Sequence, residues 1–186
     1  MEYMKTFTLS IGPVVRELPV VAVSKSLSIA SFVMLGDTSL IEASADALVS
    51  HPNFPRSSID LLVCPEAKAI PLTHAIAVRI GCNYVVVRKT VKSYMQDPLV
   101  ETVSSITTAE MQTLVLDGPD RRALDGKRVC IVDDVVSTGG SLKSLETLLA
   151  KTGAAVVGKA AVLLEDGGYS GDDLVYLEKL PVFRAG

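Results

Sequence analysis

Asp133 and Asp134 stand side by side after the apolar run Val129–Val132, and Val135, Val136, Ser137, Thr138, Gly139, Gly140 and Ser141 follow them. Glycines let a backbone pass close to a ligand, hydroxyls donate hydrogen bonds, and a helix N-terminus presents free N–H groups; together they seat a phosphate. Two carboxylates beside such a seat repel a phosphate, so they must serve another part of the ligand. A sugar diol fits, and so does a cation travelling with the ligand. Each half alone has an ordinary reading, the acids as a solvated turn and Ser-Thr-Gly-Gly as a plain loop. The order of the two, between an apolar strand and a helical repeat, gives the pattern its weight. It suits a phosphorylated ribose held at both ends.

The elements that would position this segment are legible around it. Val129–Val132 reads as a strand buried on both faces that ends at the acids, and Leu142–Lys151 has helical spacing closed near Gly153. Upstream, Lys5–Ile11 and Pro19–Val23 read as strands separated by Gly12-Pro13, and the apolar run Ser28–Leu35 fits a further strand. Ser39 with Glu42 forms a capping box that opens a helix over Leu40–Ser50. Ile59–Val63 and Tyr84–Val87 are short apolar strands flanking a helix over Thr73–Ile80, with Gly81 as its stop. Ser93–Glu110 is a long irregular stretch, Met111–Leu116 a strand, Asp117–Gly126 a charged connector and Ala154–Leu164 a last strand. Strands alternating with helices predict an α/β fold: one three-layer domain over residues 1–186, a mainly parallel twisted sheet with helices on both faces.

Composition narrows the function classes. The chain has 186 residues, enough for one substantial core, and 48% of them are hydrophobic. A net charge of −3 without a basic block offers no footprint for nucleic acid. No apolar run reaches the roughly 20 residues of a membrane-spanning helix, and no secretion signal is visible. Cys64, Cys82 and Cys130 sit in or beside apolar segments without metal-type spacing, which fits reduced core residues of a cytoplasmic protein.

In a doubly wound sheet, ligands collect at the carboxyl ends of the strands. Three such ends carry chemistry here. Val129–Ser141 resembles the phosphoribosyl-pyrophosphate signature of the type I phosphoribosyltransferases. The resemblance implies that Asp133 and Asp134 hold the ribose hydroxyls and that Val136, Ser137, Thr138, Gly139, Gly140 and Ser141 hold the 5-phosphate. After Ile59–Val63, the segment Glu66-Ala67-Lys68-Ala69 resembles the diphosphate loop of the adenine enzymes, with lysine for their arginine and Ala69 for their glycine. After Tyr84–Val87, Arg88-Lys89-Thr90-Val91-Lys92 resembles the basic run of the same subfamily, which implies Arg88 and Lys92 facing the leaving diphosphate. The stretch 93–110 then corresponds to a mobile lid, and Glu101 is the candidate acid that protonates the base, with a solvated surface glutamate as the alternative.

Other motifs give less. Gly153–Ala160 nearly matches a phosphate-binding P-loop but lacks the terminal hydroxyl, and its apolar residues read as strand. No Gly-x-Gly-x-x-Gly follows a strand, and neither His51 nor His74 has metal-type company. Tyr169 lies in a glycine-rich turn, where it could contact a base or cap the sheet. The resemblance therefore implies a purine phosphoribosyltransferase of adenine type. Its substrates would be phosphoribosyl pyrophosphate and a nucleobase, Mg2+ would arrive with the substrate rather than in a direct protein cage, and the assembly would be a homodimer. Two other functions share the same ribose-phosphate seat: a non-catalytic phosphoribosyl-pyrophosphate sensor and a pyrimidine transferase of orotate type.

Overall fold

The computed structural model describes residues 5–104 and 111–184. The chain opens with an antiparallel meander, β1 (Thr6–Ile11), β2 (Val14–Ala22) and β3 (Leu27–Ala30), followed by helix α1 (Thr38–Ser50). Then come β4 (Leu61–Pro65), α2 (Ile70–Ile80) and β5 (Asn83–Val87), the hairpin β6 (Leu99–Ser104) and β7 (Met111–Leu116), and the short helix α3 (Gly118–Leu124). The chain ends with β8 (Arg128–Val136), α4 (Gly140–Ala150), β9 (Ala155–Glu165), β10 (Leu174–Leu180) and β11 (Val182–Arg184).

The central sheet has the order β10-β9-β8-β4-β5, and every pairing in it is parallel. Alternate strand residues enter two cores: Leu62, Cys130, Val132, Ala160 and Val162 face one, while Val63, Val129, Ile131 and Ala161 face the other. Helices α1 and α2 cover the first face; α4, Leu124 of α3 and strand β7 cover the second. Burial on both faces is why these strands are unbroken apolar runs rather than alternating ones. Leu142, Leu145, Leu148 and Leu149 form the buried stripe of α4, each contributing about 1.5–3 kcal/mol of apolar transfer. A second sheet, β1-β2-β3-β11, packs beside α1, with β11 bringing the carboxyl-terminal residues antiparallel to β3.

Several boundaries differ from the sequence reading, each for a local reason. The strand does not stop at the acids: β8 runs through Asp133 and Asp134 to Val136, because β9 stays paired with it as far as Leu164. Helix α1 is capped by Asp37 rather than Ser39; the Asp37 carboxylate accepts the Leu40 N–H at 3.1 Å and is gripped by Arg16 at 2.6 Å. That grip holds Asp37 at about 2, below the usual carboxylate range, and fastens the meander to the helix. Ser28–Leu35 is strand only over β3. The stretch 93–110 is not wholly irregular, since Leu99–Ser104 pairs with Met111–Leu116; its residues 105–110 lie outside the described part. The connector 117–126 contains α3, capped by Asp117 with Pro119 in its first turn. The helix after the acids already begins at Gly140 and ends at Ala150, and Gly153 turns the chain in a left-handed conformation beyond its last turn. Sequence periodicity also missed β10 and β11, which are short and half-polar.

Candidate active site

The order of the parallel sheet reverses between β4 and β8: α2 carries the chain outward from β4 to β5, and α4 carries it outward from β8 to β9. A crevice opens at such a switch point, beyond the carboxyl ends of the two strands. The cavity found there measures about 250 Å³. Pro65, Glu66, Ala67 and Lys68 line it from the end of β4, Asp133, Asp134 and Val135 from β8, and Ser141, Ser144 and Leu145 from α4. Val87, Lys89 and Leu114 complete the wall.

The acids are buried, not solvent-facing as a strand end would leave them: Asp133 is 8% exposed and Asp134 7%. The Asp134 N–H donates to Asp133 Oδ1 at 2.9 Å. No ion pair neutralises either carboxylate among the described residues, and Asp134 Oδ2 is a buried acceptor without a hydrogen-bond partner. Burial, and then the adjacent Asp134 charge, push the Asp133 carboxyl up to about 8, with Lys68 pulling the other way. A buried, partnerless carboxylate oxygen at a cavity wall is a site for a donor that the chain itself does not supply. Hydroxyl groups and hydrated cations are such donors.

Beyond the acids, Val136 is buried and the chain turns through Ser137, Thr138 and Gly139 into α4. Gly139 holds φ +83°, which admits the turn into the helix, and Gly140 and Ser141 then present first-turn N–H groups. Of the predicted phosphate-binding residues, only Ser141 lines the cavity itself. Ser137 instead donates to Glu165 at 3.0 Å, and its carbonyl accepts the Tyr169 N–H at 2.7 Å. These contacts hold the loop from behind, leaving the helix end as its forward face.

The diphosphate-like loop has a cis peptide bond between Glu66 and Ala67. Glu66, Ala67 and Lys68 all line the cavity, as the sequence placed them. The Glu66 carboxylate is engaged elsewhere, however: it pairs with Arg88 at 3.2 Å and accepts the Lys89 N–H at 3.1 Å. Those contacts, the Lys89 N–H first, hold it below the usual carboxylate range. Glu66 is thus a strut between two strand ends, and Arg88 is positioned by it. Arg88 also makes a two-way backbone bridge to Val115, which fastens the β6–β7 hairpin to the end of β5. Neither Arg88 nor Lys92 lines the cavity; the Lys92 backbone N–H meets Met95 Sδ at 3.4 Å. Glu101 lies on β6 and forms an ion pair with Lys151 at the end of α4, away from the cavity wall. Sequence reasoning passed over Lys89 and Ser144. Lys89 sat inside the quoted basic run, and Ser144 follows Ser141 by one helical turn, so both carried a readable signal.

Comparison with known proteins shows the family. A family profile described as phosphoribosyl transferase domain matches residues 34–178, which spans every cavity residue named above. The chain belongs to that family. The phosphoribosyl transferase fold also accounts for the neighbours among solved structures. The adenine phosphoribosyltransferase of Thermoanaerobacter pseudethanolicus superposes with a TM-score of 0.64 at 26% identity, over 78% of this chain and 84% of that one. The Rhodothermus marinus adenine enzyme, at 22% identity, shares the fold over 94% of this chain and 93% of its own, with a TM-score of 0.66. A Trypanosoma brucei adenine enzyme solved with AMP, pyrophosphate and ribose-5-phosphate shares it at a TM-score of 0.60, over 78% and 67% of the two chains at 20% identity. Among sequence relatives, the adenine phosphoribosyltransferase of Desulfitobacterium hafniense is 33% identical over 70% of this chain and 71% of its own. A hypoxanthine/guanine phosphoribosyltransferase of Methanococcus voltae is 35% identical over 70% and 69%.

Proposed function

We propose that the protein transfers the phosphoribosyl group of phosphoribosyl pyrophosphate to a purine base, with adenine as the favoured acceptor. The observation that carries this reading is the convergence of three strand ends on one cavity. A buried acid pair, a helix N-terminus and a lysine-bearing loop meet within about 250 Å³. Relatives named for adenine and for hypoxanthine or guanine match about equally well, which makes a 6-oxopurine the second reading.

In the reaction, a base nitrogen forms a bond to C1 of the ribose as the bond from C1 to diphosphate oxygen breaks. The electron pair leaves with diphosphate, and the attacking nitrogen loses its proton. The sugar passes through an oxocarbenium-like state, so positioning and charge stabilisation dominate the catalysis. Asp133 and Asp134 would accept hydrogen bonds from the ribose hydroxyls and face the positive charge that develops on the ring. Gly140 and Ser141 would hold the 5-phosphate at the N-terminus of α4. Lys68, Lys89 and the Glu66-braced Arg88 would face the departing diphosphate. Mg2+ fits the same chemistry: an unpartnered buried oxygen on Asp134 beside a second carboxylate suits a hydrated cation, which when bound would neutralise diphosphate charge. Glu101 is the candidate for the base proton, within reach only if the β6–β7 hairpin moves and the Lys151 pair opens.

Diphosphate release measured with adenine, hypoxanthine, guanine, xanthine, orotate and uracil tests the assignment. Release with adenine above all others is expected. Release only with a 6-oxopurine replaces the acceptor, release only with orotate overturns the purine reading, and tight binding without release points to a sensor.

A further inference from the structure

Lys159 is the buried cation that this chemistry leaves unused. It lies on β9 within the segment that mimics a P-loop, and it is only 4% exposed. Its Nζ sits 2.6 Å from Glu146 on α4, 2.6 Å from Asp173 and 3.1 Å from the Tyr169 hydroxyl. That hydroxyl in turn donates to Asp173 at 2.7 Å. A buried lysine is costly unless it is paired and hydrogen-bonded, and here it has two carboxylates and a phenol. All of its partners belong to pieces that frame the phosphate loop: Glu146 to the helix that the loop opens, and Tyr169 and Asp173 to the turn behind it.

The ring anchored in this way lies against Gly139. A Cβ built on Gly139 would stand 2.3 Å from Tyr169 Cδ2, so the aromatic face fills the space where any other residue would put its side chain. The Tyr169 N–H also holds the Ser137 carbonyl at 2.7 Å, and a Cβ on Gly168 would fall 2.4 Å from that same carbonyl. The turn is therefore moulded to the back of the loop at two successive points.

We propose that Tyr169, clamped by Lys159 and Asp173, is a positioning residue for the ribose 5-phosphate: it fixes residues 137–140 so that the N-terminus of α4 faces the ligand. The proposal rests on the ribose-phosphate reading of the cavity and assigns roles to residues that reading did not include. A device of this kind acts on one ligand group and leaves the other end of the cavity alone. The diphosphate end would be built from Glu66–Lys68 and Lys89, and among the described residues no side-chain hydrogen bond or ion pair joins these to Tyr169, Lys159 or Asp173.

The test compares binding of ribose 5-phosphate and of diphosphate with Mg2+ to the full chain and to Tyr169→Leu, Tyr169→Phe and Lys159→Met, by calorimetry, with KM and kcat measured where turnover is found. Tyr169 is half-buried at the edge of the second core, and Tyr169→Leu keeps an apolar side chain there, so it remains informative if Lys159→Met fails to fold. Tyr169→Leu should weaken ribose 5-phosphate about tenfold, since small misplacements of positioning groups are costly, and should leave diphosphate within about twofold. Tyr169→Phe keeps the ring and should fall between Tyr169→Leu and the parent protein. Unchanged ribose 5-phosphate affinity in Tyr169→Leu overturns the assignment, as does equal loss for both ligands, which marks a merely structural residue. If the unaltered chain binds diphosphate but no ribose 5-phosphate, or neither, the ribose-phosphate reading itself fails and takes this role with it.

Discussion

Replacing Asp134 by asparagine should make the ligand-free protein more stable while it destroys turnover. The two acids are buried at 8% and 7% exposure, and among the described residues Asp134 Oδ2 has no hydrogen-bond partner. A buried acceptor left unpartnered costs about 1–3 kcal/mol, and more when it is charged. Asparagine keeps the shape, removes the charge and offers an N–H to its neighbour. The folded state should gain about 1–3 kcal/mol at pH 8, a rise in Tm of roughly 2–10 °C for a chain of this size. The sign with pH follows from Asp133. Burial and the Asp134 charge raise its carboxyl to about 8, so between about pH 4 and 8 the folded chain keeps a proton that the unfolded chain has released. The stability linked to that proton is complete below about pH 4 and is lost as pH rises through 8. Without the Asp134 charge one cause of the rise is gone while burial, the larger one, remains, so the decline becomes shallower and the Asp134→Asn gain should be largest at pH 8 and smaller at pH 5. Thermal unfolding without ligand at the two pH values, with diphosphate release measured in parallel, checks this. A variant that melts lower at both pH values and still turns over would refute the reasoning, because the pair would then be a structural element and not a ligand site.

Gly139→Ala forces a side chain into a left-handed backbone and onto the Tyr169 ring; it should lower stability by about 1–2 kcal/mol from the backbone alone and abolish measurable ribose 5-phosphate binding, read by thermal melts and calorimetry. Glu66→Gln should weaken diphosphate binding several-fold by releasing Arg88, and tighter binding would mean that Glu66 acts only by repulsion. Because the Glu66 carboxyl is held below its usual range, the strut is intact above that range and lost as pH falls through the lowered value, so diphosphate affinity in the parent should drop on acidification before it does so in the glutamine variant. Glu101→Gln should lower kcat by about 100-fold or more with little change in KM for phosphoribosyl pyrophosphate, as removal of a group that exchanges a proton with the base does. An unaltered kcat would leave Glu101 as nothing more than the partner of Lys151.

The layers of the fold were readable because the strands that build them are buried on both sides. Val129–Val132 and Leu61–Cys64 have nowhere to be but the middle of a parallel sheet, and the stops at Gly81 and Gly153 are dictated by backbone conformation. What escaped was set by tertiary partners. Asp37 caps α1 because Arg16, more than twenty residues away, holds it there, and a local capping pattern at Ser39 cannot register that. Glu101 lies on a strand because Leu114 pairs with it, and Leu99–Ser104 mixes apolar and polar residues without a strand period of its own. The carboxylate of Glu66 was legible as part of the site but not as a strut, since its partner Arg88 comes from the next strand end.

Three places where the chain breaks local rules lie close together. Two acids adjoin inside a buried strand, Gly139 takes a left-handed turn under an aromatic ring, and Lys159 sits in the core beside two carboxylates. The buried acids and the buried lysine each cost stability by themselves, and a sequence selected only to fold would replace them with apolar residues of similar size. They lie at the carboxyl ends or flanks of adjacent strands β8 and β9, around one loop and one helix terminus. Unrelated defects would be scattered over the sheet. Their grouping around β8 and the helix that follows it is what a ligand carrying both hydroxyls and a phosphate would require, since its hydroxyls satisfy the acids and its charge meets the helix end whose position the lysine fixes. Binding should therefore offset the cost of the buried acids and draw on the loop that the glycine and the lysine hold, so that ribose 5-phosphate raises the melting temperature of the parent protein more than that of any variant in which one of these features is removed.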